Sequence, residues 1–193
     1  MSIESPQPVI GQRELVVLIA LLMSLNALAI DAMLPALDEI AHEFHVATGN
    51  ERQLIVSVYL LANGIGALVP GSFADRFGRK PVIMIALASY AVFSIANALV
   101  TDFTPMLWAR GLQGLLCGGL MVAPIALVRD RYEGDRMART MSLVSAVFII
   151  MPVIAPSLGQ GVMLFAGWRW IFVLLAVLAV SRRCGPGCAC PRR

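Results

Sequence analysis

Gly71-Ser72-Phe73-Ala74-Asp75-Arg76-Phe77-Gly78-Arg79-Lys80-Pro81 sits where one uncharged run, residues 54–74, gives way to another, residues 82–101. About 20 mostly apolar residues suffice for a helix to cross a bilayer. The stretch therefore reads as a tight turn between two membrane spans. Gly71 and Gly78 permit close packing and a sharp turn. Asp75 can pair with a basic residue or cap a neighbouring helix N-terminus. Arg76, Arg79 and Lys80 hold the turn at an anionic inner leaflet.

Outward from that turn, four further apolar runs complete the chain: residues 15–34, 103–128, 140–168 and 170–181. The last is short for a crossing. The whole sequence of 193 residues is 59% hydrophobic and 14% charged, against roughly 25% charged in a soluble domain. That composition excludes a disordered chain, a nucleic-acid-binding tail and almost any soluble enzyme. The expectation is an all-α, polytopic membrane protein with six transmembrane helices over 15–181, behind a cytoplasmic N-terminus at 1–14. No small-residue cleavage site follows the first span, so a signal peptide is disfavoured.

The basic residues orient it. With the N-terminus inside, the inner segments hold Arg13; Arg76, Arg79 and Lys80; Arg129, Arg131, Arg136 and Arg139; and Arg182, Arg183, Arg192 and Arg193. The outer segments hold only Arg52 and Arg169, and Arg110 lies within a span. Both termini are expected in the cytoplasm. Six helices in two groups of three suit an inverted three-plus-three repeat.

Two charges lie where lipid would be, Asp31 and Arg110. A charge at mid-bilayer costs about 2.5–3.5 kcal/mol on insertion scales, so such residues face a cavity, a partner or, near a helix end, the interface. The first span runs outward and the fourth inward, which puts Asp31 and Arg110 at similar depth in the outer leaflet. Two readings stand: each snorkels to the interface, or both line a polar cavity between the first and fourth helices. In the second, a desolvated carboxylate titrates near neutrality and a nearby cation tunes it. Gln113 follows Arg110 by one turn on the same face. Gly114 with Gly118, and Ala62 with Gly66, are small-residue pairs that let membrane helices approach closely. Pro152 and Pro156, four apart in the fifth helix, suggest with Gly159 a hinge or a locally unwound turn.

The quoted turn resembles the cytoplasmic signature of the major facilitator superfamily, G-x-x-x-D-R-x-G-R-[KR]. Arg110-Gly111-Leu112-Gln113-Gly114 resembles the R-x-x-Q-G motif of its proton-coupled members. Ala155-Pro156-Ser157-Leu158-Gly159-Gln160 is similar to the antiporter motif G-P-x-x-G-G, departing at Ala155 and Gln160. Asp31-Ala32-Met33-Leu34-Pro35 resembles the first-helix D-x-x-x-P of drug/proton antiporters. With Val128-Arg129-Asp130 and Gly167-Trp168-Arg169-Trp170-Ile171-Phe172, the chain is most similar to the bicyclomycin/chloramphenicol resistance (Bcr/CflA) subfamily. The resemblance covers about residues 12–180.

It implies a transporter rather than an enzyme. The implied function is efflux of multiple drugs or other small molecules by proton antiport across a bacterial inner membrane, with antibiotic resistance as the outcome. Its partners would be a small-molecule substrate, protons and the lipid bilayer, with no nucleic acid, and its energy source a proton gradient without other cofactor. It makes Asp31 the proton-coupling carboxylate and Arg110 its cavity partner. Asp75 becomes the lock of the inner gate, with Arg129 as the facing charge.

Members of that superfamily carry twelve helices in two halves, so this chain corresponds to the N-terminal half of such a fold, and a C-terminal six-helix half is missing. Residues 182–193 are almost all Arg, Cys, Gly, Pro and Ala, the residues of GC-rich codons, as when a gene is read out of frame. Cys184, Cys188 and Cys190 fit no common zinc spacing, so no metal is expected. Three readings follow: half of a drug/proton antiporter, a membrane fragment without transport, and a half-transporter that works as a homodimer.

Overall fold

The computed structural model describes residues 12–46, 49–77 and 79–183. Eight α-helices run in order: α1 (Gln12–Asp31), α2 (Leu37–Glu43), α3 (Gly49–Phe77), α4 (Arg79–Leu99), α5 (Phe103–Cys117), α6 (Gly119–Arg131), α7 (Gly134–Ala166) and α8 (Arg169–Arg183). No strand occurs among the described residues. Lipid offers the backbone no hydrogen bonds, so a chain this apolar satisfies its N–H and C=O groups within helices.

Six spans emerge, with two departures from the sequence expectation. The fourth is two helices, α5 and α6, separated only by Gly118. There Gly118 N–H reaches the Gly114 carbonyl at 3.1 Å, and Met121 N–H closes a tighter turn on the Gly118 carbonyl at 3.3 Å. The loop after α1 is itself structured: a 3-10 turn at Leu34–Ala36, then α2. α8 has 15 residues, about 22 Å at 1.5 Å per residue, and is the short sixth span. The expected unwinding at Pro152 and Pro156 does not occur, because both lie inside the continuous α7. Each proline removes one backbone bond, but unwinding would free several more with no water to receive them.

The heaviest packing joins α3 to α5, α1 to α7 and α4 to α8. In spans these are second with fourth, first with fifth and third with sixth. Exchanging the first three spans for the last three maps that set onto itself, as an inverted repeat requires. Backbones touch at glycines. A Cβ on Gly66 would overlap the Leu115 carbonyl, one on Gly114 the Tyr59 carbonyl, and one on Gly159 the Ala32 carbonyl. Gly159 is thus where α7 seats on α1.

α7 ends at Gly167, whose φ of 76° suits a residue without Cβ. Trp108 and Trp170 stand exposed toward the end that carries α2, where an aromatic belt would meet the interface. Leu25, Met33, Tyr59, Tyr90 and Phe172 form the core beneath it.

Candidate functional site

On α5 the buried positions are Met106, Ala109, Arg110, Gln113, Gly114 and Cys117. This is the i, i+3, i+4, i+7 stripe of a helix that faces a core. Arg110 is therefore carried inward by the same periodicity that buries its apolar neighbours, and it is 1% exposed. It does not snorkel.

Among the described residues its charge is met without a carboxylate. Nη1 donates to the Ala29 carbonyl at 3.2 Å and to Gln113 Oε1 at 3.3 Å, and Nη2 lies against Met33 Sδ. The guanidinium carbon is 4.7 Å from the Phe172 ring centroid and 5.5 Å from that of Tyr59. Ala29 belongs to the last turn of α1, whose carbonyls have no partner within the helix and carry the negative end of its dipole. A guanidinium keeps its proton in the interior. It is held here by a helix end, an amide and two π faces.

The expected pairing of Asp31 with Arg110 is not what forms. Among the described residues no ion pair or hydrogen bond reaches the carboxylate of Asp31, which is half-buried as the final residue of α1. Equal depth is not enough. Ala29 and Met33, four apart, share the face of α1 that meets Arg110. Asp31 lies two residues from either, about 200° around the helix.

Gln113 links Arg110 to α4. Its Nε2 donates to Ser94 Oγ at 2.9 Å, which leaves Oε1 free to accept from Arg110 and from Asn97 Nδ2 at 3.4 Å. A second polar knot lies between α1 and α3: Asn26 Oδ1 accepts from Tyr59 Oη at 2.6 Å and Asn63 Nδ2 at 3.0 Å. Tyr90 Oη donates to the Leu25 carbonyl at 2.8 Å. Asn26, Asn63, Ser94 and Asn97 are all buried. Among the described residues, two buried polar atoms have no partner, Arg110 Nε and Asn97 Oδ1. A reading that looks for charges inside spans passes over these neutral groups. The signal that finds them is three asparagines within otherwise apolar runs.

The gate residues lie mostly beyond view. α3 reaches Phe77 and α4 begins at Arg79, so helix occupies much of the stretch first read as a turn. The side chains of Gly71, Asp75, Arg76, Arg79 and Lys80, and Gly78 as a whole, fall outside the described residues. So does the expected Asp75–Arg129 contact, although Arg129 itself is exposed on α6. The Cys-rich tail, 184–193, lies outside them too. Among the described residues no cluster of His, Cys, Asp and Glu could hold a metal. Two surface grooves, one between α3 and α5 and one between α7 and α8, are apolar and hold none of Asp31, Arg110 and Gln113.

Comparison with known proteins agrees with this architecture. The family model described as Major Facilitator Superfamily matches residues 19–181. The chain is similar to the multidrug resistance protein MdtL of Escherichia coli strain K12 / DH10B, of Escherichia coli O157:H7 and of Shigella dysenteriae serotype 1. Each is 34% identical over 160 residues, which is 83% of this chain and 41% of the relative. The chain thus spans about two-fifths of the length of these curated relatives.

Proposed function

The chain belongs to the major facilitator superfamily, and from that premise we propose that its six helices are the N-terminal half of a proton-coupled exporter of drug-like small molecules. The proposed place is a bacterial inner membrane, with both ends of the six-helix unit in the cytoplasm. The proposed subfamily is that of the bicyclomycin/chloramphenicol resistance exporters. One observation carries the reading: Arg110 is buried at membrane depth with no counter-carboxylate among the described residues. A buried charge there is costly, and residues kept at that cost mark substrate or ion pathways. Asp31 complements it. It is a half-exposed carboxylate near the outer end of α1, with no partner to its carboxylate among the described residues, and it is able to take up and release a proton. The resemblance to MdtL supports multidrug substrates.

The two roles are separate in this proposal. Arg110, with Gln113, maintains a positive polar centre among α1, α4 and α5. Asp31 carries the proton. A C-terminal six-helix half would close the cavity from the other side, and the two halves would rock about the shared site.

The test is transport by the protein that carries both halves, reconstituted in liposomes under an imposed pH gradient. Addition of a transported cationic drug should dissipate the gradient, and the drug should move against its own concentration. The 193-residue chain alone should give neither signal. Drug movement that ignores the pH gradient would overturn proton coupling. Export by the 193-residue chain alone would favour the homodimeric half-transporter.

A further inference from the structure

The outer end of the bundle carries a polar cluster that the transport reading does not use. Trp168, just after the Gly167 turn, is 2% exposed. It is packed edge-on against Phe44 at 5.8 Å and Phe172 at 5.9 Å between ring centroids. A buried indole N–H needs an acceptor, and it finds Glu43 Oε2 at 2.6 Å. The other oxygen of the same carboxylate pairs with Arg169 Nη1, also at 2.6 Å. The Arg169 guanidinium lies over the Trp168 ring, 4.5 Å from its centroid, and Nη2 donates to the Val100 carbonyl at 3.3 Å.

Topology makes this cluster more than a local contact. Glu43 ends α2, in the connection between the first and second spans. Val100 follows α4, in the connection between the third and fourth. Trp168 and Arg169 form the connection between the fifth and sixth. All three outer connections of the six-helix unit therefore meet at one carboxylate and one guanidinium. The Asp38–Arg52 ion pair fastens α2 to the start of α3 as well.

We propose that Glu43, Trp168 and Arg169 form a clasp, released by acid, that binds the three outer connections so that the outer ends of the six helices move as one body. The carboxylate serves two donors only while ionised, because both its oxygens are in use. Burial alone would raise the pKa of Glu43, but the hydrogen bonds from Trp168 and Arg169 and the charge of Arg169 bring it below the ordinary glutamate value. A carboxylate with a lowered folded pKa contributes fully above its unfolded value and loses that contribution as pH falls through the folded one. The clasp is therefore shut at neutral pH and opens as pH falls below the ordinary glutamate value.

Other titratable groups stand around it. α2 contributes Glu39, one turn back, and His42, with His45 just beyond the helix. Asp38 and Arg52 sit at the α2–α3 junction, and Asp102 follows Val100. The ion pair is open to water, with about two-fifths of each side chain exposed, so salt should weaken it. The indole bond to Glu43 should resist salt.

The experiment uses the 193-residue chain in nanodiscs, with Trp108→Phe and Trp170→Phe leaving Trp168 as the fluorophore. Acid titration should shift Trp168 emission to longer wavelength in one step, with its midpoint below the ordinary glutamate pKa. Glu43→Gln should abolish the step, whereas His42→Gln and His45→Gln should leave its midpoint in place. Hydrogen exchange on the chain with all its tryptophans gives a second readout independent of the fluorophore. In Arg169→Ala, amides of residues 37–46 and of 100–102 should exchange faster together, by roughly tenfold. A step that survives Glu43→Gln overturns the assignment of the titrating group. Faster exchange confined to either segment overturns the joining of the connections.

Discussion

Asp31→Asn is expected to abolish pH-gradient-driven export by a protein with both six-helix halves, while the protein still reaches the membrane in normal amount. The argument rests on what holds Asp31 and what does not. It closes α1 and is half-buried, and no side chain or backbone group among the described residues bonds to its carboxylate. An amide of the same shape therefore breaks no contact, yet it cannot bind a proton. Arg110→Ala should behave differently. It strips the partner from the Ala29 carbonyl and one of two donors from Gln113 Oε1, and leaves a cavity against Phe172 and Tyr59. Buried groups left unsatisfied cost about 1–3 kcal/mol each, so this variant should lose thermal stability in detergent as well as transport. Arg110→Lys should recover only part of it, since a point charge cannot stack and fork as a guanidinium does. Uphill, gradient-driven export by Asp31→Asn at the normal rate would place the proton site elsewhere. Equal thermal midpoints for Arg110→Ala and the parent would show that the centre around Arg110 does not support the fold.

The features legible in the sequence are those written in a single run of residues. Apolar length located the spans. Basic asymmetry supplied the orientation that the proposal uses. The rarity of charge inside lipid singled out Arg110, which is buried as expected of a residue that belongs to the interior. Its partner was not legible from depth. Depth follows from topology, but contact also needs helical phase, and phase put Ala29 and Met33 toward Arg110 and turned Asp31 away. A second gap concerns neutral polar groups. Asn26, Asn63, Ser94 and Asn97 carry no charge, so composition treats them as tolerable in a span, yet they tie α1 to α3 and α4 to α5. The third concerns backbone breaks. Pro152 and Pro156 announced a defect that α7 absorbs, whereas the interruption of the fourth span fell at Gly118 beside Gly119, with Pro124 one turn into α6. In lipid, proline removes one bond and stops there. A Gly–Gly step offers the backbone the freedom to tighten.

Gly66→Ala is expected to destabilise the six-helix unit more than any other single methyl group added to α3. α3 and α5 meet backbone to backbone, and the added Cβ would overlap the carbonyl of Leu115. No flexible side chain can swing aside there, so one helix must move. Lipid tails are as apolar as the helix surfaces, so there is little hydrophobic force to restore the contact, and close packing of small residues is what holds such helices together. Overpacking in a soluble core costs about 1–3 kcal/mol, occasionally more, and an overlap with backbone belongs at or above the top of that range. The displacement would also pull Asn63 and Tyr59, on the same helix, away from Asn26, which accepts from both. Gly64→Ala supplies the control within the same helix. Nothing lies within 4 Å of its Cβ position, and alanine is the better helix former by about 1 kcal/mol. Thermal unfolding of the purified chain in detergent should therefore show Gly64→Ala at or above the parent midpoint and Gly66→Ala well below it. Gly114→Ala, whose Cβ would strike the Tyr59 carbonyl from the opposite helix, should match Gly66→Ala. Parent-like midpoints for both Gly66→Ala and Gly114→Ala would mean that the second and fourth spans do not touch through their backbones. The polar knot of Asn26, Tyr59 and Asn63 would then have to rest on some other packing.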